Sequence, residues 1–296
     1  MKQNLKDWVA DRLTTDGMIE SRINGVHLFK VTSAMPCAPA IYDPALIVIL
    51  NGKKEAILEG DRYVYDNQQY MCCVASLPVE AGTPEASSDD PLIGVYISLD
   101  TKVMKELTLE VEEAKGFESE PKSSFTPQSL LLSDWDPEFE DALYRLITIS
   151  DNVTDSAVLG ESRLRELYYA VLKGECGPSV RKAFSVGNGI AQAIEHLSMN
   201  LDKNVSIDEL ASLVGMSRAV LHRKFKQATN MSPIQFMKSM RLNSAAMKIA
   251  TGTNVSEAAM AVGYVSSSQF SREFKRLYGQ SPKQWVQAKG LVNNIA

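Results

Sequence analysis

The chain has 296 residues, 45% hydrophobic and 23% charged, which fits a globular protein of about two domains and excludes a disordered or fibrous one. Its longest strongly apolar run, residues 45–50, is far short of the roughly 20 residues that cross a bilayer, and no apolar stretch follows Lys2 and Lys6 as in a secretory leader. A cytoplasmic protein with no membrane partner is therefore expected, and its net charge of −5 is unevenly spread: Arg181 to the end holds 15 Lys/Arg and 6 Asp/Glu, residues 1–180 hold 16 and 30, so only the second part suits a polyanion.

Residues 5–13 set Leu5, Trp8, Val9 and Leu13 on one face of a short amphipathic helix. From Val26 to about Leu99 the pattern is β. Strands are predicted over residues 26–31, 45–50, 53–58, 62–65, 70–77 and 92–99, with Asn51-Gly52 turning the chain between the second and third. Short strands divided by turn signals predict a small sandwich or barrel. Tyr63, Tyr65, Tyr70 and Tyr96 are placed to line a pocket there or to fill its core. After Asp100 the period becomes helical, with helices predicted over 101–114, 136–150 and 161–173. These either cover the sheet or form a dimer seam. Residues 174–179 (GECGPS) read as a linker.

No chemistry-bearing cluster emerges from this first part. Cys37, Cys72, Cys73 and Cys176 lack the C-x-x-C spacing of a zinc site and read as reduced thiols, with Cys72 and Cys73 on opposite faces of one strand. Of the histidines, His27 alone lies in the β region, His196 and His222 falling on later helices, and one imidazole cannot build a cupin metal centre. Nucleophile-elbow, phosphate-loop and dinucleotide fingerprints are missing, so no enzyme activity, catalytic residue, metal or cofactor is expected.

The last hundred residues carry a repeat. Val214-Gly215, Phe225-Lys226 and Ser232-Pro233 recur in the same order as Val262-Gly263, Phe274-Lys275 and Ser281-Pro282. Each copy reads as helix, turn, helix, at about residues 207–228 and 255–278. In the first, Ser206 and Glu209 have capping-box spacing, Ile207, Leu210, Ala211 and Val214 face inward, Gly215 turns the chain, and Ser217 caps a second helix burying Leu221 and Phe225. That helix turns Arg218, Ala219, His222, Arg223 and Lys226 outward. In the second, Asn254 and Glu257 repeat the cap, Val255, Ala258, Ala259 and Val262 face inward, and Gly263 turns. Its second helix is predicted to bury Phe270, Phe274 and Leu277 and to expose Ser267, Ser268, Ser271, Arg272 and Lys275. A basic-polar outer face after a glycine turn suits the DNA major groove. Arginine pairs with guanine and serine donates or accepts, while Lys226 and Lys275, further along, suit phosphates. A connecting helix over 234–250, after Pro233, would be about 26 Å long, a span that lets the two units meet groove faces about 34 Å apart.

The segment VSEAAMAVGYVSSSQFSREFKRLYGQSPKQW (residues 255–285) resembles the DNA-binding signature of the AraC/XylS family of transcription regulators, and the likeness extends over about residues 186–288. The resemblance implies base-reading positions at Ala219, His222 and Arg223, and at Ser267, Ser268, Ser271 and Arg272. PALIVILNGKKEAILEGDRYVYD and YMCCVASLPVEAG resemble the cupin-type N-terminal domain of one AraC-like subgroup. An α+β protein is therefore expected, with a cupin-like β-barrel and covering helices over 1–175, a linker over 176–189, and an all-α domain of two helix-turn-helix motifs joined by a long helix over 190–296. The implied partners are double-stranded promoter DNA, RNA polymerase and a small-molecule effector, with a homodimer allowed. Control by modification of Cys72 or Cys73, or by a protein partner, is the rival expectation.

Overall fold

The computed structural model describes residues 2–115, 128–185 and 187–289. Helix α1 (Lys2–Ala10) precedes strands β1 (Gly17–Glu20), β2 (Val26–Val31), β3 (Met35–Tyr42), β4 (Ala45–Asn51), β5 (Lys54–Leu58), β6 (Asp61–Tyr65), β7 (Gln69–Cys73), β8 (Leu77–Thr83) and β9 (Leu92–Ser98). Then come α2 (Thr101–Lys115), β10 (Leu130–Asp134), α3 (Pro137–Thr148), α4 (Val153–Lys173) and α5 (Gly177–Phe184). The strands form two antiparallel sheets, β1-β2-β9-β4-β7-β10 and β3-β8-β5-β6, facing each other as a sandwich.

The larger sheet is covered on both sides, and its sequence reflects that. Leu46, Val48 and Leu50 of β4 pack under α1, α3, α4 and α5, while Ile47 and Ile49 point between the sheets. A strand buried on both faces reads as an unbroken apolar run. Cys72 and Cys73 likewise part, one beneath the helices and one in the sandwich interior. The helices therefore cover the sheet. Asp136 caps α3 by accepting from the Phe139 amide at 2.8 Å, and the Phe139 ring stacks on Tyr70 with centroids 4.0 Å apart.

Several expectations need correction. Strands β1, β3 and β10 escaped prediction, and each is a sheet edge. The predicted strand over 70–77 is two: β7 ends at Cys73, the chain turns a corner, and β8 starts in the other sheet at Leu77. The N-terminal helix begins at Lys2, so Leu13 is buried from beyond its end. The stretch expected as a linker over 176–189 is largely helix α5, whose Val180 and Phe184 belong to the helix-covered core.

The remaining chain is helical: α6 (Gly189–Met199), α7 (Ile207–Leu213), α8 (Arg218–Thr229), α9 (Pro233–Ala250), α10 (Val255–Ala261), α11 (Ser267–Tyr278) and α12 (Pro282–Lys289). It rests on the smaller sheet. Ile190, Phe225 and Phe236 share one continuous core with the sandwich interior, whereas Phe270, Phe274 and Trp285 form a separate core with Leu242 and Ile249 of α9. Polar contacts mark the seam. Asn243 of α9 is buried and donates to the carbonyls of Ala40 on β3 (2.8 Å) and Val79 on β8 (3.0 Å). Tyr278 Oη donates to Asn243 Oδ1 at 2.6 Å, and Asn230 Nδ2 donates to Asp61 at 2.9 Å.

Candidate nucleic-acid interface

Two copies of one local design carry the candidate interface. Ser206 Oγ accepts from the Glu209 amide at 3.2 Å, and the Ser206 amide donates to the Glu209 carboxylate at 2.9 Å, so α7 starts with a full capping box. Asn254 caps α10 by accepting from the Glu257 amide at 2.9 Å. Gly215 and Gly263 turn the chain with φ of +63° and +85°, a region L side chains avoid. At Gly263 a Cβ would also lie 2.7 Å from the Asp202 carbonyl oxygen, so the position excludes side chains twice over. Ser217 and Ser266 then cap the second helices, accepting from the amides of Val220 and Gln269.

Each second helix buries one face. On α8, Leu221 and Phe225 go inward, the Phe225 ring edge-on to Phe236 at 5.3 Å. On α11, Phe270 and Phe274 go inward, with Phe274 ringed by Phe270, Tyr278 and Trp285 at centroid distances of 5.4, 4.5 and 5.9 Å. The expectation that Leu277 is buried is wrong: it is 46% exposed. Steps of four from Phe270 lead to Phe274 and Tyr278, and Tyr278 takes the inward place.

The opposite face remains open. Arg218, Ala219, Arg223, Lys226, Ser267, Ser268, Arg272 and Lys275 are exposed, and His222 and Ser271 are half-buried. Nine of these ten are polar or charged, and five carry a fixed positive charge. Arg218 is the one already engaged, its guanidinium gripping both carboxylate oxygens of Asp208 on α7. Its Nη1 is left to face solvent, so a DNA contact there would share the guanidinium with that carboxylate. Unit two is tied to the connector by charge. Tyr264 Oη donates to Glu273 at 2.8 Å, and Lys238 of α9 stands 3.2 Å from the same carboxylate. Burial works against ionisation of Glu273, but hydrogen bonds from Tyr264, Gln269 and Lys238 prevail and hold its pKa below the usual value. A cleft of about 530 Å³ lies between the units, lined by Ile207, Ile234, Met237 and Tyr264 among others.

Sequence reasoning missed the seam. Asn243 was legible only as one polar residue on the buried side of α9, and its partners on β3 and β8 are over 160 residues away in the chain. In the β region the four tyrosines separate. Tyr70 lies beneath the helices, whereas Tyr63, Tyr65 and Tyr96 belong to the sandwich interior. Cys72 and Cys73 are held as protonated thiols, whereas hydrogen bonds from Cys72 and Tyr70 outweigh burial at the neighbouring Cys176 and bring its thiol down to about 7. Burial pushes the Cys73 thiol up to about 12, and contact with the Cys176 thiol together with burial holds Cys72 well above the ordinary range. A protonated, fully buried thiol is a poor nucleophile.

Two family models match the chain. One describes the AraC-type transcriptional regulator N-terminus and covers residues 22–179; the other describes a helix-turn-helix domain and covers residues 210–288. The raffinose operon transcriptional regulatory protein RafR of Pediococcus pentosaceus is 28% identical over 150 residues, which are 50% of this chain and 54% of that protein. The chain thus spans about half the length of that relative. The regulatory protein SoxS of Salmonella typhimurium is 31% identical over 97 residues, 32% of this chain and 91% of SoxS. Among solved structures, ToxT of Vibrio cholerae with a bound unsaturated fatty acid superposes with a TM-score of 0.53 at 13% identity, over 91% of this chain and 97% of ToxT. ToxT bound to (E)-4-(8-methylnaphthalen-1-yl)but-3-enoic acid gives 0.56 at 13% identity, over 88% and 97%. At that identity the likeness is one of fold: a β-rich first unit followed by a helical one.

Proposed function

As the chain belongs to the AraC-type transcriptional regulators, we propose that it binds promoter DNA sequence-specifically and that a small molecule in its first unit controls that binding. Residues up to Phe184 form the sensor and Gly189 onward the DNA-binding unit. The observation that carries the reading is the pair of open, cationic helix faces on α8 and α11, joined by an 18-residue helix of about 27 Å. Ala219, His222, Arg223, Ser267, Ser268, Ser271 and Arg272 read bases; Arg218, Lys226 and Lys275 meet phosphates. RNA polymerase is the protein partner on the promoter. A second copy of the chain is the other, and exposed Val153 and Val158 on α4 offer the apolar surface such a pairing would cover.

Effector control is supported by the seam and by the ligands held in ToxT. Helix α9 grips two strands of the sensor through Asn243, so a shift in those strands moves the connector of both reading units. Thiol control is disfavoured by the burial of Cys72 and Cys73.

The test is selection of duplexes from a random pool by the full chain. A preferred sequence should emerge. On it, Arg272→Ala and Arg223→Ala should each weaken binding by about 1–3 kcal/mol and relax preference at one base position. Equal weakening on every duplex would show that these arginines read no base, and failure to enrich any sequence would overturn the reading.

A further inference from the structure

The two helix-turn-helix units differ by one residue in the turn, and that residue lies beside the reading face. Gly215 and Gly263 are 48 positions apart, whereas the helix caps Ser217 and Ser266 are 49 apart. The turns match as far as Met216 and Tyr264, whose amides donate to the equivalent carbonyls of Ala211 and Ala259 at 2.9 and 3.0 Å. Met216 is followed directly by its cap, but Val265 stands between Tyr264 and Ser266. Both matched residues serve the fold. Met216 packs against the core shared with the sandwich, and Tyr264 is buried edge-on to Phe270 with centroids 5.2 Å apart.

Val265 serves no such purpose. It is 102% exposed, the most open large apolar side chain among the described residues, where the next, Met199, is 74% exposed. Scattered apolar residues on a surface are ordinary. Two features set Val265 apart from them: unit one has no counterpart to it, and it immediately precedes the cap of α11. The start of the second helix is where a helix-turn-helix contacts base edges.

The chemistry of that face indicates what Val265 meets. Ser267, Ser268 and Ser271 are short and polar and Arg272 is cationic, so the proposed base-reading residues of unit two include no apolar group. Unit one has Ala219, but the residue 49 positions on is Ser268. In the major groove thymine alone presents an apolar group, its 5-methyl, to a protein side chain. Burying that methyl against an isopropyl group removes both from water.

We infer that Val265 is a further specificity-determining residue, packing on the 5-methyl group of one thymine in the groove segment that α11 reads. The inference rests on the DNA-binding reading above and deepens it by naming the base at one position of the second half-site. Val265 also borders the cleft between the units together with the exposed Ile234, so a protein partner seated there is the competing use.

Fluorescence anisotropy of the full chain on the selected duplex separates these uses. Each thymine in the half-site where Arg272→Ala relaxes preference is replaced in turn by deoxyuridine, which pairs in the same way and lacks only the methyl. One replacement should weaken wild-type binding about 4-fold, the worth of one buried methyl group. Val265→Ser should bind the thymine duplex about 4-fold more weakly than wild type and lose no more on the deoxyuridine duplex. Val265→Thr, which keeps a methyl group in place, should retain the sensitivity. All three chains should melt at the same temperature, because the side chain is fully exposed. A second half-site without thymine, no methyl-sensitive position, or equal methyl sensitivity in wild type and Val265→Ser would each overturn the assignment. So would loss of transcription in Val265→Ser with duplex affinity and methyl sensitivity intact, which would give the residue to a protein partner. A preferred sequence with no methyl-sensitive thymine sinks only the role of Val265; failure to enrich any sequence sinks the DNA-binding reading itself.

Discussion

The first helix-turn-helix unit builds its core together with the β-sandwich, whereas the second builds one of its own. Phe225 and Phe236 of the first lie in one apolar cluster with Phe29, Ile47 and Leu77 of the sensor. Phe270, Phe274 and Trp285 of the second pack with Leu242, Ala246 and Ile249 of the connector and with nothing from the sensor's core. Near-repeated sequences thus make units with different mechanical roles. The first is continuous with the part that senses. The second is tethered by α9 and by the hydrogen bond from Tyr278 to Asn243.

That difference is most open to attack at the two buried phenylalanines. Phe274→Ala and Phe225→Ala each remove a fully buried ring, at a cost of about 3–5 kcal/mol. The cost should be felt in different places. Phe274→Ala should unfold the second unit at lower denaturant while amide protection in β3 and β8 stays at the wild-type level. Phe225→Ala should lower protection in those strands as well. Hydrogen exchange read by mass spectrometry makes the comparison, and identical protection maps for the two variants would break it.

A smaller effect is expected at the seam. Asn243→Ala leaves the carbonyls of Ala40 and Val79 without their donor and removes the acceptor of Tyr278, for a loss of about 1–3 kcal/mol. If Asn243 is the second unit's main link to the sensor, the variant should free that unit's motion and leave the first unit docked. Uniform loosening of both units would show that the shared core, not the polar latch, sets the docking.

How far the sequence disclosed this arrangement follows from which interactions are local. Capping boxes, glycine turns and the four-residue spacing of Phe270 and Phe274 are short-range, and both helix-turn-helix units were legible from them. The central strands were legible because burial on both faces leaves an apolar run, as in β4. The edges were not. Strand β3 contains Pro36 and Pro39, which cannot donate to a ladder and suit only an edge, and β1 has one fully paired side and four residues. Helix α5 was hidden by Gly177 and Pro178, residues that signal a turn yet here open a helix, with Pro178 in its first turn. Of the proposed base-reading face, exposure followed from the helical period. The pairing of Arg218 with Asp208 did not, because it depends on how α7 crosses α8.

The smallest effect is also the sharpest on whether the units act alike. Lys226 and Lys275 occupy equivalent places on α8 and α11, both exposed and both placed for phosphate. If the two units lie on DNA together, Lys226→Ala and Lys275→Ala should each reduce the slope of log affinity against log salt by about one, with no change in base preference. The first unit, however, is held by the sensor through Asn230 and Asp61 and through the shared core. Should that docking keep it off the duplex, only Lys275→Ala would change the slope, and Lys226→Ala would gain an effect once Asn243→Ala or an effector loosens the seam. A slope unchanged in both variants would remove these lysines from the interface; a change in both from the start would mean that the docked arrangement is already the DNA-binding one, and that control must act by another route than release of the first unit.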